Sequence, residues 1–256
     1  MASVEDPNQP GAAPDAGEAT RTMSWLTLAR WGAIGQIVVI VLINVLGGEI
    51  IPPLIVFGVL LGVGAAMLGR PGKVGPIVVL VISLLHLVLS APFSIPTLFL
   101  PASWGDFVLT VASIVYTVLA IVGAIGALRS DPAARSGAPR RAWTIGLAVL
   151  ALSILIAAVS AFTFEDDEFQ EGDVRLTAAD IEFDPTTLEA EAGEVTVFIE
   201  NEDSTYHTFT SEDLDVDEAI PAGAAVRVTF TVDGAGTYEF ECTPHAPDMS
   251  GELVVR

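Results

Sequence analysis

Five apolar runs dominate the chain between residues 25 and 162. They are roughly Trp25–Leu46, Ile50–Leu68, Val74–Leu89, Phe107–Leu128 and Ala142–Phe162. As helix, about 20 apolar residues cover the ~30 Å hydrocarbon core of a bilayer. The runs predict an all-α bundle of five transmembrane spans over 25–163. The third run is short unless it continues through Ala91. Such a chain is expected to sit in a lipid bilayer, and nothing in it suggests nucleic-acid binding.

The basic residues orient the spans. Arg21 precedes the first run and Arg30 lies near its start. Arg70 and Lys73 separate runs two and three, and Arg129, Arg135, Arg140 and Arg141 separate runs four and five. The other connections, GGE and SAPFSIPTLFLPASWGD, hold no Lys or Arg. The positive-inside rule then predicts a cytoplasmic N-terminus and, after five crossings, an exit on the outer face near residue 163. Residues 1–24, rich in Pro, Gly, Ala and acids, read as a disordered cytoplasmic tail.

Charge divides the chain in two. Residues 1–164 carry 8 Lys and Arg against 7 Asp and Glu, whereas residues 165–256 carry 3 against 25. An acidic linker, 164–173, leads into a small, strongly acidic domain, 174–256. Within the spans, Gly58 and Gly62 form a GxxxG spacing that permits close helix contact. His86 reads as a neutral side chain hydrogen-bonded inside the bundle. A haem held by two histidines would need a second histidine within a span, and the three histidines of the chain supply none. The proline- and aromatic-rich segment after run three, with Phe93, Phe99 and Trp104, reads as a loop along the outer membrane surface. A docking shelf for the acidic domain is the other reading.

From Val174 the pattern changes to period two. EVTVFIE turns Val195, Val197 and Ile199 to one face. AVRVTFTVD turns Val226, Val228, Phe230 and Val232 inward, and GTYEFEC turns Tyr238, Phe240 and Cys242 inward with Glu239 and Glu241 outward. Such alternation marks half-buried antiparallel strands. Turn signals at 184–185, 192–193, 221–223 and 233–236 separate them. Short strands at this density predict an all-β sandwich.

The single cysteine excludes an internal disulfide and any centre that needs two thiolates from one chain. It stands in ECTPHAPDM, with His245 three residues on and Met249 four further. A second histidine, His207, ends the stretch NEDSTYH and shares a strand face with Phe209. Two imidazoles, one thiolate and a distant thioether describe a blue-copper site, whose thiolate suits Cu(I) and whose imidazoles also suit Cu(II). Zinc accepts one Cys and two His as well, and the Irving–Williams order favours copper.

These residues resemble a family. GTYEFECTPHAPDMSGELVV is similar to the cupredoxin pattern G-x-Y-x-F/Y-x-C-x-x-H followed by M-x-G-x-L/V-x-V, of the plastocyanin, amicyanin and halocyanin kind. The turn from Asn201 to His207 and the opening IEFDPTTLEAEAGEVTVFIENED are similar too. Over about 174–256 the resemblance implies a Greek-key sandwich holding one type 1 copper ion, with His207, Cys242, His245 and axial Met249 as ligands. It also implies an electron port at His245, within an apolar patch of Pro244, Ala246 and Pro247. Two departures stand out. Three residues separate His245 from Met249, where two or four are usual, and Thr208 replaces an Asn that ties the ligand loops together in many relatives.

Function follows as an expectation: a membrane-anchored carrier of single electrons on the outer face of the cytoplasmic membrane. Its partner would be a redox protein, a respiratory complex or a basic cytochrome steered by the acidic domain. Copper storage or delivery is the alternative. The chain is not expected to be an enzyme, because copper oxidases and nitrite reductases need further histidines for a second copper.

Overall fold

The computed structural model describes residues 22–47, 50–131 and 134–256. The expected tail up to residue 21, Arg21 with it, and residues 48–49 of the GGE connection lie outside them. Among the described residues, five long helices come first: α1 (Trp25–Leu46), α2 (Pro52–Met67), α3 (Val74–Thr97), α4 (Trp104–Arg129) and α5 (Gly137–Thr163). Nine strands follow: β1 (Val174–Ala179), β2 (Glu182–Asp184), β3 (Thr187–Ala190), β4 (Gly193–Asn201), β5 (His207–Ser211), β6 (Val216–Ile220), β7 (Ala225–Val232), β8 (Gly236–Glu241) and β9 (Ser250–Val255).

The helices follow the apolar runs, with local starts and stops. Ser24 caps α1 by accepting the Thr27 N–H at 3.1 Å. Residues 22–24, expected as the end of a disordered tail, are ordered: Met23 and Ser24 pair with Ser136 and Arg135. Helix α2 starts only at Pro52, because a proline pair suits the first helical turn, where no N–H is needed. That leaves it 16 residues, so four helices, α1, α3, α4 and α5, are long and apolar enough to cross a membrane and α2 is shorter. Helix α2 nevertheless joins the two ends of the bundle. Asn44 near the end of α1 accepts the Ile51 N–H at 2.7 Å, while Gly69, past the other end of α2, lies against Arg30.

Small residues let α1 and α4 touch. A Cβ at Gly32 would collide with the Ala120 backbone, and one at Gly123 with the Ala29 backbone. Gly58 and Gly62 face Ile40 and Ile37 of α1, so their spacing serves packing within this chain. His86 lies buried between helices as expected: its Nε2 is 2.7 Å from the Gln36 amide and 3.4 Å from Ser113 Oγ, and Phe57 packs edge-on to its ring.

The segment after run three is not a loop. Helix α3 continues to Thr97 through Pro92 and Pro96. A proline removes one intrahelical hydrogen bond. Near a C-terminus the loss is small, and the Thr97 hydroxyl donates to the Phe93 carbonyl at 2.8 Å. Only 98–103 remains as a connection.

The strands form two sheets, ordered β2-β1-β4-β7 and β3-β9-β8-β5-β6. The alternating residues read from the sequence fill the space between them: Val195, Val197, Ile199, Val228, Phe230, Val232, Phe240 and Cys242 all join one buried core. Two pairings are parallel, β1 with β4 and β3 with β9, against the antiparallel expectation. Parallel neighbours need a crossover: β1 reaches β4 by way of β2 and β3, which lie in different sheets, and β3 reaches β9 by way of β4–β8.

The acidic linker is bound rather than extended. Ala225 N–H donates to Asp166 Oδ1 and Arg227 N–H to Asp167 Oδ2, at 3.0 and 2.8 Å, along edge strand β7. The Arg227 guanidinium grips both oxygens of Asp173 at 2.8 and 2.7 Å. Phe169 covers Phe198, on the outer face of β4, and Arg175 stacks 3.8 Å over its ring. A charged segment laid along an open edge also blocks unwanted strand pairing.

Candidate metal centre

Three side chains meet at one end of the sandwich. His207 opens β5, Cys242 follows β8, and His245 closes the short 3₁₀ turn Thr243–His245. His207 Nδ1 lies 3.2 Å from His245 Nδ1 and 3.5 Å from Cys242 Sγ, and His245 Nδ1 lies 3.3 Å from that sulfur. The three atoms form a nearly equilateral triangle. Its centre is about 2 Å from each corner, the length of a metal–imidazole bond.

Hydrogen bonds fix the orientation of His207. Its Nε2–H donates to Asp203 Oδ2 at 2.8 Å, so Nδ1 presents a lone pair to the other donors. Such a carboxylate behind a histidine is the usual support of a metal ligand. Asp203 is held in turn by the N–H groups of Asp180 and Ile181, at 2.8 and 3.0 Å. Those residues form the β1–β2 turn, both with positive φ, of 54° and 62°. The turn puts a β-branched side chain in the left-handed region, an uncommon conformation, and in doing so aims two successive N–H groups at one carboxylate.

The protonation states suit a cation. Burial lowers the His207 pKa against the pull of Asp203 and so favours the neutral imidazole. At Asp203, burial opposes ionisation, but the Ile181 N–H, His207 and the Asp180 N–H outweigh it and hold the carboxyl below its ordinary value. Burial pushes the Cys242 thiol up, opposed by the Thr208 and His245 N–H groups. A metal binds the thiolate and releases that proton. Two imidazole nitrogens and a sulfur converging at these distances are the borderline and soft donors that copper takes, so the residues fit copper.

Met249 is fully buried in the same core as Cys242. Its carbonyl accepts the Cys242 N–H at 2.9 Å, and its own N–H donates to the His245 carbonyl at 3.2 Å. The three-residue spacing after His245 thus closes a loop that returns Met249 beside the cysteine. Thr208 does the work expected of the missing Asn: its hydroxyl accepts the Thr243 N–H at 2.9 Å and so joins the two ligand segments, while its own N–H points at Cys242 Sγ at 3.4 Å. Asp203 escaped the sequence reading. Its signal was the position four residues before His207, hidden among many solvated acids.

The two imidazoles differ in exposure. His207 is fully buried, and His245 is half-buried beside exposed Ala246 and Pro247.

Residues 147–255 match the family described as the cupredoxin-like domain. Among solved structures, amicyanin from Paracoccus versutus (Thiobacillus versutus) is 22% identical, over 35% of this chain and 86% of its own, with a TM-score of 0.30. Auracyanin A from Chloroflexus aurantiacus is 22% identical over 33% of this chain and 98% of its own, at 0.27. A chain of a heme-copper terminal oxidase dimer is 18% identical over 46% and 99%, at 0.30. No curated protein matches the chain. The C-terminal part of this chain is a cupredoxin-like domain, preceded by helices apolar enough to anchor it in a membrane.

Proposed function

We propose that the chain is a membrane-anchored type 1 copper protein that carries single electrons on the outer face of the cytoplasmic membrane. The observation that carries this reading is the triangle of His207 Nδ1, Cys242 Sγ and His245 Nδ1, with Asp203 fixing the tautomer of the first. Copper would supply the chemistry by alternating between Cu(I) and Cu(II). His207, Cys242 and His245 would be the strong ligands, and Met249 would supply a weaker thioether. Asp203, the β1–β2 turn and Thr208 hold those ligands in one arrangement, so a change of oxidation state needs little movement of the chain. His245, at the half-buried edge beside Pro244, Ala246 and Pro247, is the electron port.

All five helices cross the membrane in this reading. Three basic segments then share the cytoplasmic side with the N-terminus. The short α2 fits because it joins the same two ends of the bundle as its neighbours. The domain, at 174–256 behind the 164–173 linker, would meet a redox protein, a respiratory complex or a basic cytochrome. The chain is not itself an enzyme in this account, since its third histidine, His86, lies in the bundle away from the other two.

Titration of the full chain with Cu(II) tests the reading. An intense blue thiolate-to-copper band, absent from Cys242→Ser and bleached reversibly by a reductant, is the expected result. A pale spectrum from a folded chain overturns it. A blue site that loses copper readily to a chelator and exchanges no electrons with cytochromes supports storage or delivery instead.

A further inference from the structure

The bundle does more than anchor the sandwich. It touches the sandwich at the end that holds the candidate metal centre, and mainly through the segment that leads into His207. Asp106, in the first turn of α4, uses both carboxylate oxygens there: Oδ1 accepts the Thr205 hydroxyl at 3.2 Å and Oδ2 accepts the Tyr206 N–H at 2.8 Å. Tyr206 lies against the end of α3, lining one cavity with Phe93 and Pro96, and the Ser204 hydroxyl donates to the Leu46 carbonyl at the end of α1 at 3.2 Å. Three successive residues, Ser204, Thr205 and Tyr206, are thus held by three helices, and the next residue is His207.

An acid in a helix's first turn usually serves the helix itself, by capping or by favouring its dipole. Asp106 caps nothing in α4, where no side-chain cap bond is made. Its oxygens are spent on the ligand segment. Inside the sandwich that segment is tied by Asn201, whose amide donates to the carbonyls of Thr205, Ile220 and Pro221 at 2.9, 3.2 and 3.0 Å. The chain of contacts runs Asp106, then Thr205 and Tyr206, then His207 and Asp203.

From this geometry we infer that Asp106 of the helical bundle is a positioning residue for the metal centre, setting the placement of His207. The inference rests on the copper reading above. Releasing the segment frees an imidazole, and imidazole donors matter more to Cu(II) than to Cu(I), which the thiolate and thioether still satisfy. Loss of Asp106 should therefore weaken Cu(II) binding and raise the reduction potential. Removing a residue that supports a metal ligand typically costs about 10–100-fold in affinity.

The test compares the full-length chain with Asp106→Ala, Asp106→Asn and Ser103→Ala in detergent. Ser103 accepts the Ala222 N–H at 3.0 Å, so its loss removes a contact between bundle and sandwich that involves none of residues 204–207. Each is titrated with Cu(II), its blue band and potential are recorded, and amide exchange at Thr208 is followed in the metal-free chain. Asp106→Ala should lose about tenfold or more in Cu(II) affinity, shift its band, raise its potential and speed exchange at Thr208, whose N–H bonds to Cys242 and not to Asp106. Asp106→Asn, which keeps one acceptor, should fall between, and Ser103→Ala should resemble the wild type. Wild-type affinity, potential and Thr208 exchange in a folded Asp106→Ala chain overturn the inference while leaving the copper reading intact. Equal losses in Ser103→Ala overturn it too, because undocking alone would then explain them. A wild-type chain with no blue band sinks the copper reading, and the positioning of a copper ligand falls with it.

Discussion

The two histidines at the candidate centre are chemically alike and are held in opposite ways. His207 is fully buried at the start of a strand, braced behind by Asp203 and beneath by a segment that three helices grip. His245 is half-buried on a three-residue 3₁₀ turn, its backbone hydrogen-bonded to neighbours within Cys242–Met249. A carrier needs one side of its site rigid, so that geometry survives a change of charge. It needs the other side near the surface, so that electrons can leave. In the proposed carrier the two histidines would divide those demands between them.

Excising each imidazole gives the largest expected contrast. His207→Gly and His245→Gly should both lose the blue band. Added imidazole should restore it in the His245 variant, whose gap opens toward solvent, and fail in the His207 variant, whose gap is closed. Equal rescue in the two would erase the distinction. Asp203→Ala comes next. It leaves three donors facing an empty space, costing about 1–3 kcal/mol of stability, and frees the His207 tautomer, for an affinity loss of about tenfold or more. Chemical denaturation and copper titration measure the two effects, and a variant as stable and as tight as wild type would show that Asp203 does not brace His207.

Met249→Leu separates ligation from packing. The swap nearly conserves volume and should cost less than about 1.5 kcal/mol. With Met249 as a copper ligand, losing its thioether should nevertheless raise the potential. An unchanged potential would assign Met249 to the core alone. The smallest effect concerns how the domain is moored. Hydrogen bonding to Arg227 holds the Asp173 carboxyl below its ordinary range. A depressed carboxylate adds stability above its unfolded pKa, near ~3.9, and loses it as pH falls through the lower folded value. Wild type should therefore melt slightly above Arg227→Gln at neutral pH, with the gap closing below about pH 4. A gap that stays constant to pH 3 would mean the pair is not what separates them.

Much of this was legible in the sequence, for a common reason. Apolar runs long enough to span a bilayer, strands that alternate between core and water, and a Cys and His three residues apart are local patterns. Each residue's environment there follows from the period of its own element. The inward residues of β4, β7 and β8 were read correctly on that basis. Where the reading failed, a local rule met a tertiary partner. Pro92 and Pro96 argued for a loop after Leu89, yet α3 runs to Thr97, because its last turns can lose a hydrogen bond cheaply. The sequence marked 164–173 only as an acidic linker, and its acids in fact lie along β7 and Arg227.

The same division applies to the centre itself. Residue type and spacing selected His207, Cys242, His245 and Met249, because soft and borderline donors are rare in this chain and clustering them has few other uses. Asp203 and Asp106 were invisible among 32 acidic residues. A carboxylate becomes a brace only through what lies across from it, and a turn of β1–β2, a helix of the bundle and an imidazole are brought to those positions by the folded chain alone.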